Sequence, residues 1–218
     1  MALLFLVRHG ETTWNRDGRF QGQADAPLSD EGRAQAEQVA GRLARSGVDL
    51  IVASDLSRAH DTALRVAAAT GAPIELEPAF RELSFGAWQG YTKREIVERF
   101  GDAFGRYMAD PVAGRPDGGE SFGDAMARVG AAAKRRLAER PDARMAWVMH
   151  GGSIRALLCA YLDWPPVNRG VYRVDNASIT LLEVRPPERF VSLHYLNDTH
   201  HLGGPTDRPG ASPGGDAF

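Results

Sequence analysis

The chain has 218 residues, 43% of them hydrophobic and 25% charged, which is enough apolar material for one large domain or two small ones. A formal net charge of −2 excludes the global positive field that nucleic acid or an anionic membrane would require. The single cysteine, Cys159, excludes an intramolecular disulfide and a multi-cysteine metal site.

The chain opens on Leu3-Leu4-Phe5-Leu6-Val7 followed by Arg8-His9-Gly10-Glu11. A short apolar run closed by a glycine reads as a buried strand over 2–7, and in an α/β sheet the carboxyl end of such a strand is where ligands bind. Arg8 and His9 there place a fixed cation beside a potential nucleophile or base; alone, they read equally well as solvated polar residues at a strand end. The run is too short to span a bilayer and has no basic segment before it, so a cytoplasmic location is expected.

A polar loop follows. Ser29-Asp30-Glu31 then starts a helix with Ala36, Val39, Ala40 and Leu43 on one face, ending near Gly47. Leu50-Ile51-Val52-Ala53 is a second buried strand leading into Ser54-Asp55-Leu56-Ser57-Arg58 and an alanine-rich helix closed by Gly71. Ile74-Glu75-Leu76 is a short strand before Arg81-Glu82.

Residues 84–120, rich in glycine, proline and aromatics, read as a lid insertion with one short helix over 92–100. Trp88, Phe100, Phe104 and Tyr107 fit the core of such a lid better than they fit substrate contacts. Ser121 and Asp124 form a capping box for a helix reaching about Arg140. Met145 to Met149 is a third strong strand, ending at His150-Gly151-Gly152 with a helix behind it. The helix carries Cys159 among apolar neighbours, as a buried, inert thiol. Two late strands, 178–184 and 190–196, are joined by a turn at Pro186-Pro187. Residues 203–218, poor in apolar side chains, read as a tail. The fold class is therefore α/β: a three-layer sandwich with a mostly parallel central sheet flanked by helices, plus a small helical lid. It forms one domain over 1–202.

In a parallel sheet the strand ends carrying Arg8-His9, Arg58 and His150 share one edge. Two arginines and two histidines there suit a dianionic phosphoryl group, because guanidinium forks match its oxygens. The Gly151-Gly152 backbone at a helix start could add N–H donors.

At this point the residues match a known family. Leu6-Val7-Arg8-His9-Gly10-Glu11-Thr12 resembles the signature of the histidine phosphatase superfamily, which includes cofactor-dependent phosphoglycerate mutases. The resemblance continues through Trp14-Asn15, Phe20-Gln21-Gly22, Pro27-Leu28-Ser29, Ala53 to Ala59, Arg81-Glu82 with Phe85-Gly86-Ala87-Trp88-Gln89-Gly90, and His150-Gly151-Gly152. It implies that His9 attacks phosphorus and carries a phosphohistidine that water then hydrolyses. Arg8, Arg58 and His150 would bind the phosphoryl oxygens, with Asn15 adding a neutral hydrogen bond and Gln21 and Gly22 on the substrate side. Glu82 would protonate the leaving oxygen and then assist the water. The pattern needs no metal and no cofactor. It also allows a homodimer, with no nucleic-acid or membrane partner.

Each residue retains a plainer reading. Arg81-Glu82 could be a surface pair, Asn15 and Gly22 could serve turns, and His60 reads as a surface residue. His194, His200 and His201 match no standard ligand spacing. Within the family, the compact stretch after Glu82 favours a phosphomonoesterase over a mutase. Gly118-Gly119-Glu120-Ser121 resembles a segment of phosphatases that include those acting on α-ribazole phosphate. A non-catalytic phospholigand-binding relative is the reading of another class. The two guanidiniums beside His9 predict a depressed pKa, and the acid–base pair predicts a rate optimum on the acidic side of neutral.

Overall fold

A computed structural model describes residues 1–110, 112–166, 171–185 and 190–203. Its centre is a six-stranded sheet in the order β3-β2-β4-β1-β5-β6, formed by β1 (Ala2–Arg8), β2 (Leu50–Ala53), β3 (Ile74–Leu76), β4 (Arg144–Met149), β5 (Ile179–Arg185) and β6 (Phe190–Asp198). The first four strands run parallel to one another; β5 is antiparallel to β1, and β6 to β5. The mostly parallel sheet read from the sequence is observed. Parallel strands are covered on both faces, which is why β1, β2 and β4 read as unbroken apolar runs.

Alternate residues of those runs face opposite layers. Leu4, Leu6, Val52, Met145 and Trp147 pack with Val129, Ala133, Ile154 and Leu158 of α5 (Phe122–Glu139) and α6 (Gly151–Leu162). Phe5, Val7, Ile51, Ala146 and Val148 pack with Val39, Leu43, Ala59 and Val66 of α2 (Asp30–Leu43) and α3 (Ser57–Thr70). The result is a three-layer sandwich.

Local chemistry accounts for the helix ends. Ser29 accepts from the Gly32 N–H and starts α2, and Gly71, at φ 74°, closes α3 in the left-handed conformation that glycine tolerates. Ser121 and Asp124 form the expected capping box on α5. α2 ends at Leu43, earlier than expected; Gly47, at φ 65°, belongs to the turn that follows.

Two expectations need correction. The loop after β1 contains a single-turn helix, α1 (Thr13–Arg16), closed by a reciprocal pair between Thr12 and Asn15. The helix expected over 92–100 is present and breaks at Phe100, whose backbone is non-helical; a second helical stretch, which was not expected, follows the kink to Ala109, and the two together are α4 (Lys93–Ala109). Gly101 and Gly105 weaken the helical signal beyond that point, and packing overrides it. Phe104 and Tyr107 join Phe20, Phe85, Trp88, Ile96 and Phe122 in a third apolar cluster, closed beneath by Ala156 and Cys159 of α6. Trp88, Phe104 and Tyr107 are buried core, as expected, and so is Cys159.

No helix among the described residues is long and apolar enough to cross a membrane. The Pro186-Pro187 turn and residues 204–218 lie outside the described residues.

Candidate active site

The sheet order explains how residues far apart in sequence meet. β2, β4 and β1 are adjacent and parallel, so Ser54, His150 and His9 leave the same edge one residue past each strand. Arg8 pairs in register with Met149, which brings His9 and His150 to one level, with ring centroids 5.1 Å apart. Arg58 follows β2 on the first turn of α3, and Glu82 follows β3 after a 3-10 turn over Pro78–Phe80.

His9 is buried, and its Nδ1 lies 2.7 Å from the Gly10 carbonyl. A carbonyl only accepts, so Nδ1 carries the proton of the neutral ring and Nε2 keeps the lone pair. The His9 pKa lies well below 6.5, the direction expected from the sequence, but burial is its largest cause, with Arg58 and Arg8, the expected cause, adding to it. His150 is depressed for the same reasons, burial first and then Arg58 and His9. Its Nε2 lies 2.8 Å from Ser54 Oγ, a partner that orients the ring. Both imidazoles are neutral at pH 7 and sit beside two cations.

Those cations are held by carbonyls. Arg8 donates from Nη1 to Val174 O at 2.6 Å. Arg58 is 1% exposed and donates to Gly22 O at 2.6 Å and Ala24 O at 2.9 Å. Burial lowers its pKa to about 10, which still leaves it charged at neutral pH. Its buried Nε has no hydrogen-bond partner among the described residues. A guanidinium fixed in a low-dielectric pocket provides a preorganised field for an anion.

Asn15 is buried. Its Oδ1 accepts from Thr12 N at 3.1 Å and lies 2.9 Å from Thr12 Oγ1, so its amino group is the end left to donate. Gln21 Oε1 lies 2.9 Å from the same Thr12 hydroxyl. Gly22 adopts φ 54°, and a Cβ there would come within 2.3 Å of Gln89 Oε1 and 2.9 Å of Phe85 N. Its carbonyl anchors Arg58, so the position serves the turn and the cation together.

Glu82 is held by backbone. Oε1 accepts from Leu83 N at 2.9 Å and Ser153 N at 3.1 Å, and Oε2 accepts from Gly152 N at 3.0 Å. Of the two donors expected to meet phosphate at the start of α6, the Gly152 N–H serves Glu82 instead, as does the neighbouring Ser153 N–H; Gly151, buried, heads the helix. A Cβ at Gly152 would stand 2.4 Å from Glu82 Oε1.

Supporting residues missed in the sequence surround this set. Arg128 clamps the turn before Glu82, donating to Ala79 O at 2.7 Å and Arg81 O at 3.1 Å while pairing with both oxygens of Glu120. Glu120 also accepts from Ser84 N, so Gly118-Gly119-Glu120-Ser121 has a structural use independent of substrate. Arg81 pairs with Asp55 across the mouth of β2, and that bond holds the Asp55 carboxyl below its usual range. Thr62 and the 174–178 segment support Gly10, Arg8 and His9 from behind. The Thr12-to-Asn15 spacing was a legible signal; Arg128 and the 174–178 segment carried none. His60 is half-buried on α3. His194 pairs with Glu183 and His201 with the Ala177 carbonyl. Among the described residues no group of three or more His, Cys, Asp or Glu is placed to hold a metal ion.

Fold and edge chemistry together define a class, the α/β enzymes that work on phosphoryl groups. The chain belongs to the histidine phosphatase superfamily (branch 1), whose family profile matches residues 4–199. Phosphoserine phosphatase 1 of Hydrogenobacter thermophilus is 33% identical over 203 residues, covering 93% of this chain and 95% of its own. A probable phosphoglycerate mutase of Enterobacter sp. is 35% identical over 212 residues, covering 94% and 97%. The structure of a mycobacterial glucosyl-3-phosphoglycerate phosphatase in complex with VO3 matches at TM-score 0.82 and 34% identity, covering 90% of this chain and 99% of that one.

Proposed function

We propose that this chain is a metal-independent phosphomonoesterase that acts through a phosphohistidine on a small phosphorylated metabolite. The observation that carries this reading is the neutral His9, with its proton on Nδ1 and Nε2 free, set between two buried guanidiniums. Nε2 attacks phosphorus; the N–P bond forms as the bond to the ester oxygen breaks, and Glu82 gives that oxygen a proton. Water then attacks the phosphohistidine, Glu82 takes the water's proton, and inorganic phosphate leaves with His9 restored. Arg8, Arg58, His150 and Asn15 hold the non-bridging oxygens, so the charge of the transition state is met without a metal ion. Gln21, Gly22 and Gly151 border the same space.

Small monoesters of the kinds named for the relatives are candidate substrates, together with α-ribazole phosphate and sugar phosphates. The compact segment after Glu82 supports hydrolysis over transfer to a sugar acid. The test is phosphate release, in excess chelator, from a panel of phosphoserine, α-ribazole phosphate, sugar phosphates, phosphoglycerates and an aryl phosphate, with His9→Ala as control. We expect preference for one compound, with turnover falling below about 1% in His9→Ala because the intermediate cannot form. Isomerisation of phosphoglycerate with a bisphosphoglycerate primer, without release, would favour the mutase. Tight phosphate binding with no trapped phosphoenzyme would favour a non-catalytic relative.

A further inference from the structure

Behind the nucleophile lies a side chain that the chemistry above leaves without a role. Asn176 sits in the segment before β5, and its Nδ2 lies 3.1 Å from His9 O, 3.4 Å from Gly10 O and 3.3 Å from Asn15 Oδ1. The orientation of this amide is chemically forced. Two of the three partners are backbone carbonyls, which only accept, so the amino end must face them. Asn15 Oδ1 receives the Thr12 N–H, so it too is an acceptor.

Two of these three contacts reach the reacting apparatus. Gly10 O is the acceptor of His9 Nδ1–H, the bond that keeps the lone pair on Nε2. Asn15 Oδ1, saturated by Thr12 and Asn176, leaves its own amino group as the donor for a ligand. The mounting of Asn176 is itself rigid. Ala177, at φ 57°, gives its N–H to Arg8 O and His9 O, both at 3.1 Å. Asn197 returns to Asp175 through two bonds, N–H of Asp175 to Asn197 Oδ1 at 2.6 Å and Asn197 Nδ2 to Asp175 Oδ2 at 2.9 Å. His201 Nε2 donates to the Ala177 carbonyl at 2.9 Å. A non-glycine residue in the left-handed region is strained and persists only where its surroundings impose it.

We propose that Asn176 is a positioning residue for phosphoryl transfer, one amide that fixes both the tautomer of His9 and the donor face of Asn15. This inference rests on the reading of His9 as nucleophile. No side chain lacking a donor can replace it: an isosteric carboxylate would turn an oxygen toward three oxygens and bring negative charge to the back of His9.

The experiment is rapid-quench trapping of the phosphoenzyme with para-nitrophenyl phosphate across pH. It compares the wild type with Asn176→Ala, Asn176→Asp, Asn15→Ala and the Asn15→Ala/Asn176→Ala double variant. Asn176→Ala should slow phosphoenzyme formation per folded molecule by about 10- to 100-fold. Asn176→Asp should also move the acid limb of the rate profile upward by about half a pH unit or more, because a nearby negative charge favours protonated His9. In the Asn15→Ala background, removing Asn176 should cost clearly less than it does in the wild type, as expected of coupled groups. If Asn176→Ala does not fold, Asn176→Ser, which keeps one donor, takes its place and should show an intermediate loss. A merely structural asparagine would lower the melting temperature and leave the rate per folded molecule within twofold of wild type, with an unmoved acid limb. That result overturns the positioning role while leaving His9 as nucleophile. Failure to trap any phosphoenzyme in the wild type overturns both.

Discussion

The requirement for glycine at 152 shows how closely Glu82 is built into the start of α6. Gly152 N–H holds Glu82 Oε2, and a side chain at that position would collide with Glu82 Oε1 and stand 2.7 Å from Leu83 Cδ1. Gly152→Ala should therefore push the carboxylate out of place and imitate Glu82→Gln. Both variants should lose about 10²-fold on an alkyl phosphate and much less on an aryl phosphate, whose leaving group hardly needs the proton. Steady-state rates on the two ester types decide this; equal losses would remove Glu82 from the acid role. At this scale the sequence was legible where chemistry demanded a residue type. His9, His150, Arg8, Arg58 and Glu82 stand out as reactive or charged groups at strand ends. Asn176 and Arg128 do not, because their importance lies in which distant carbonyls they reach, and no local pattern encodes that.

Among elements, the 84–120 segment departs furthest from its sequence reading. Its glycines and prolines suggested loops around one short helix, yet a second helical stretch follows the kink at Phe100 and runs to Ala109, because Phe104 and Tyr107 find apolar partners on α5 and α6. Trp88 lies at the centre, fully buried, edge-on to Tyr107 at 5.1 Å and tilted against Phe104 at 5.6 Å. Trp88→Ala should cost about 3–5 kcal/mol of stability in denaturant unfolding, since the rigid surroundings of a large buried ring collapse only partly. A loss under about 1 kcal/mol would mean that this cluster melts independently of the sheet core. The strands behaved differently. β1, β2 and β4 are recognisable because burial on both faces demands unbroken apolar runs, and the alternation of Leu4 and Leu6 against Phe5 and Val7 then allots them to the two helix layers.

For the whole molecule, burying imidazoles next to cations has a consequence for stability. His9, His150 and the more exposed His201 have folded-state pKa values below 6.5, each with burial as the leading cause. Below pH 6.5 the unfolded chain therefore takes up protons that the folded chain refuses, and stability falls as pH falls. Each such group contributes at most about 1.4 kcal/mol per pH unit in that window. Melting temperature should hold from pH 8 to about 6.5 and decline from there to pH 5, above the range where the depressed carboxylates Asp55 and Glu77 titrate. His9→Ala should flatten the decline, and inorganic phosphate should raise the whole curve by binding the folded state alone. A melting temperature independent of pH between 5 and 6.5 would show that neither buried ring resists its proton. The catalytic acid limb should lie below pH 6.5 for the same reason, because only neutral His9 can attack.

Chain order and residue type sufficed for the α/β class, the buried strands and most helix starts, and they named His9, His150, Arg8, Arg58 and Glu82 as the candidate site residues. Each of these depends on local periodicity, on capping chemistry or on a short motif, and all are written within a few residues. Folding in three dimensions settled what depends on distance. Adjacency of β2, β4 and β1 brings Ser54, His150 and His9 together. The start of α6 takes up the Glu82 carboxylate through the Gly152 and Ser153 N–H groups. The loop before β5 closes on the back of His9 across more than 160 residues of sequence. A hydrogen bond acts over about 3 Å of space, whatever the separation along the chain. Until strand order and register are known, a sequence can name the groups that react and says far less about the groups that hold them in place.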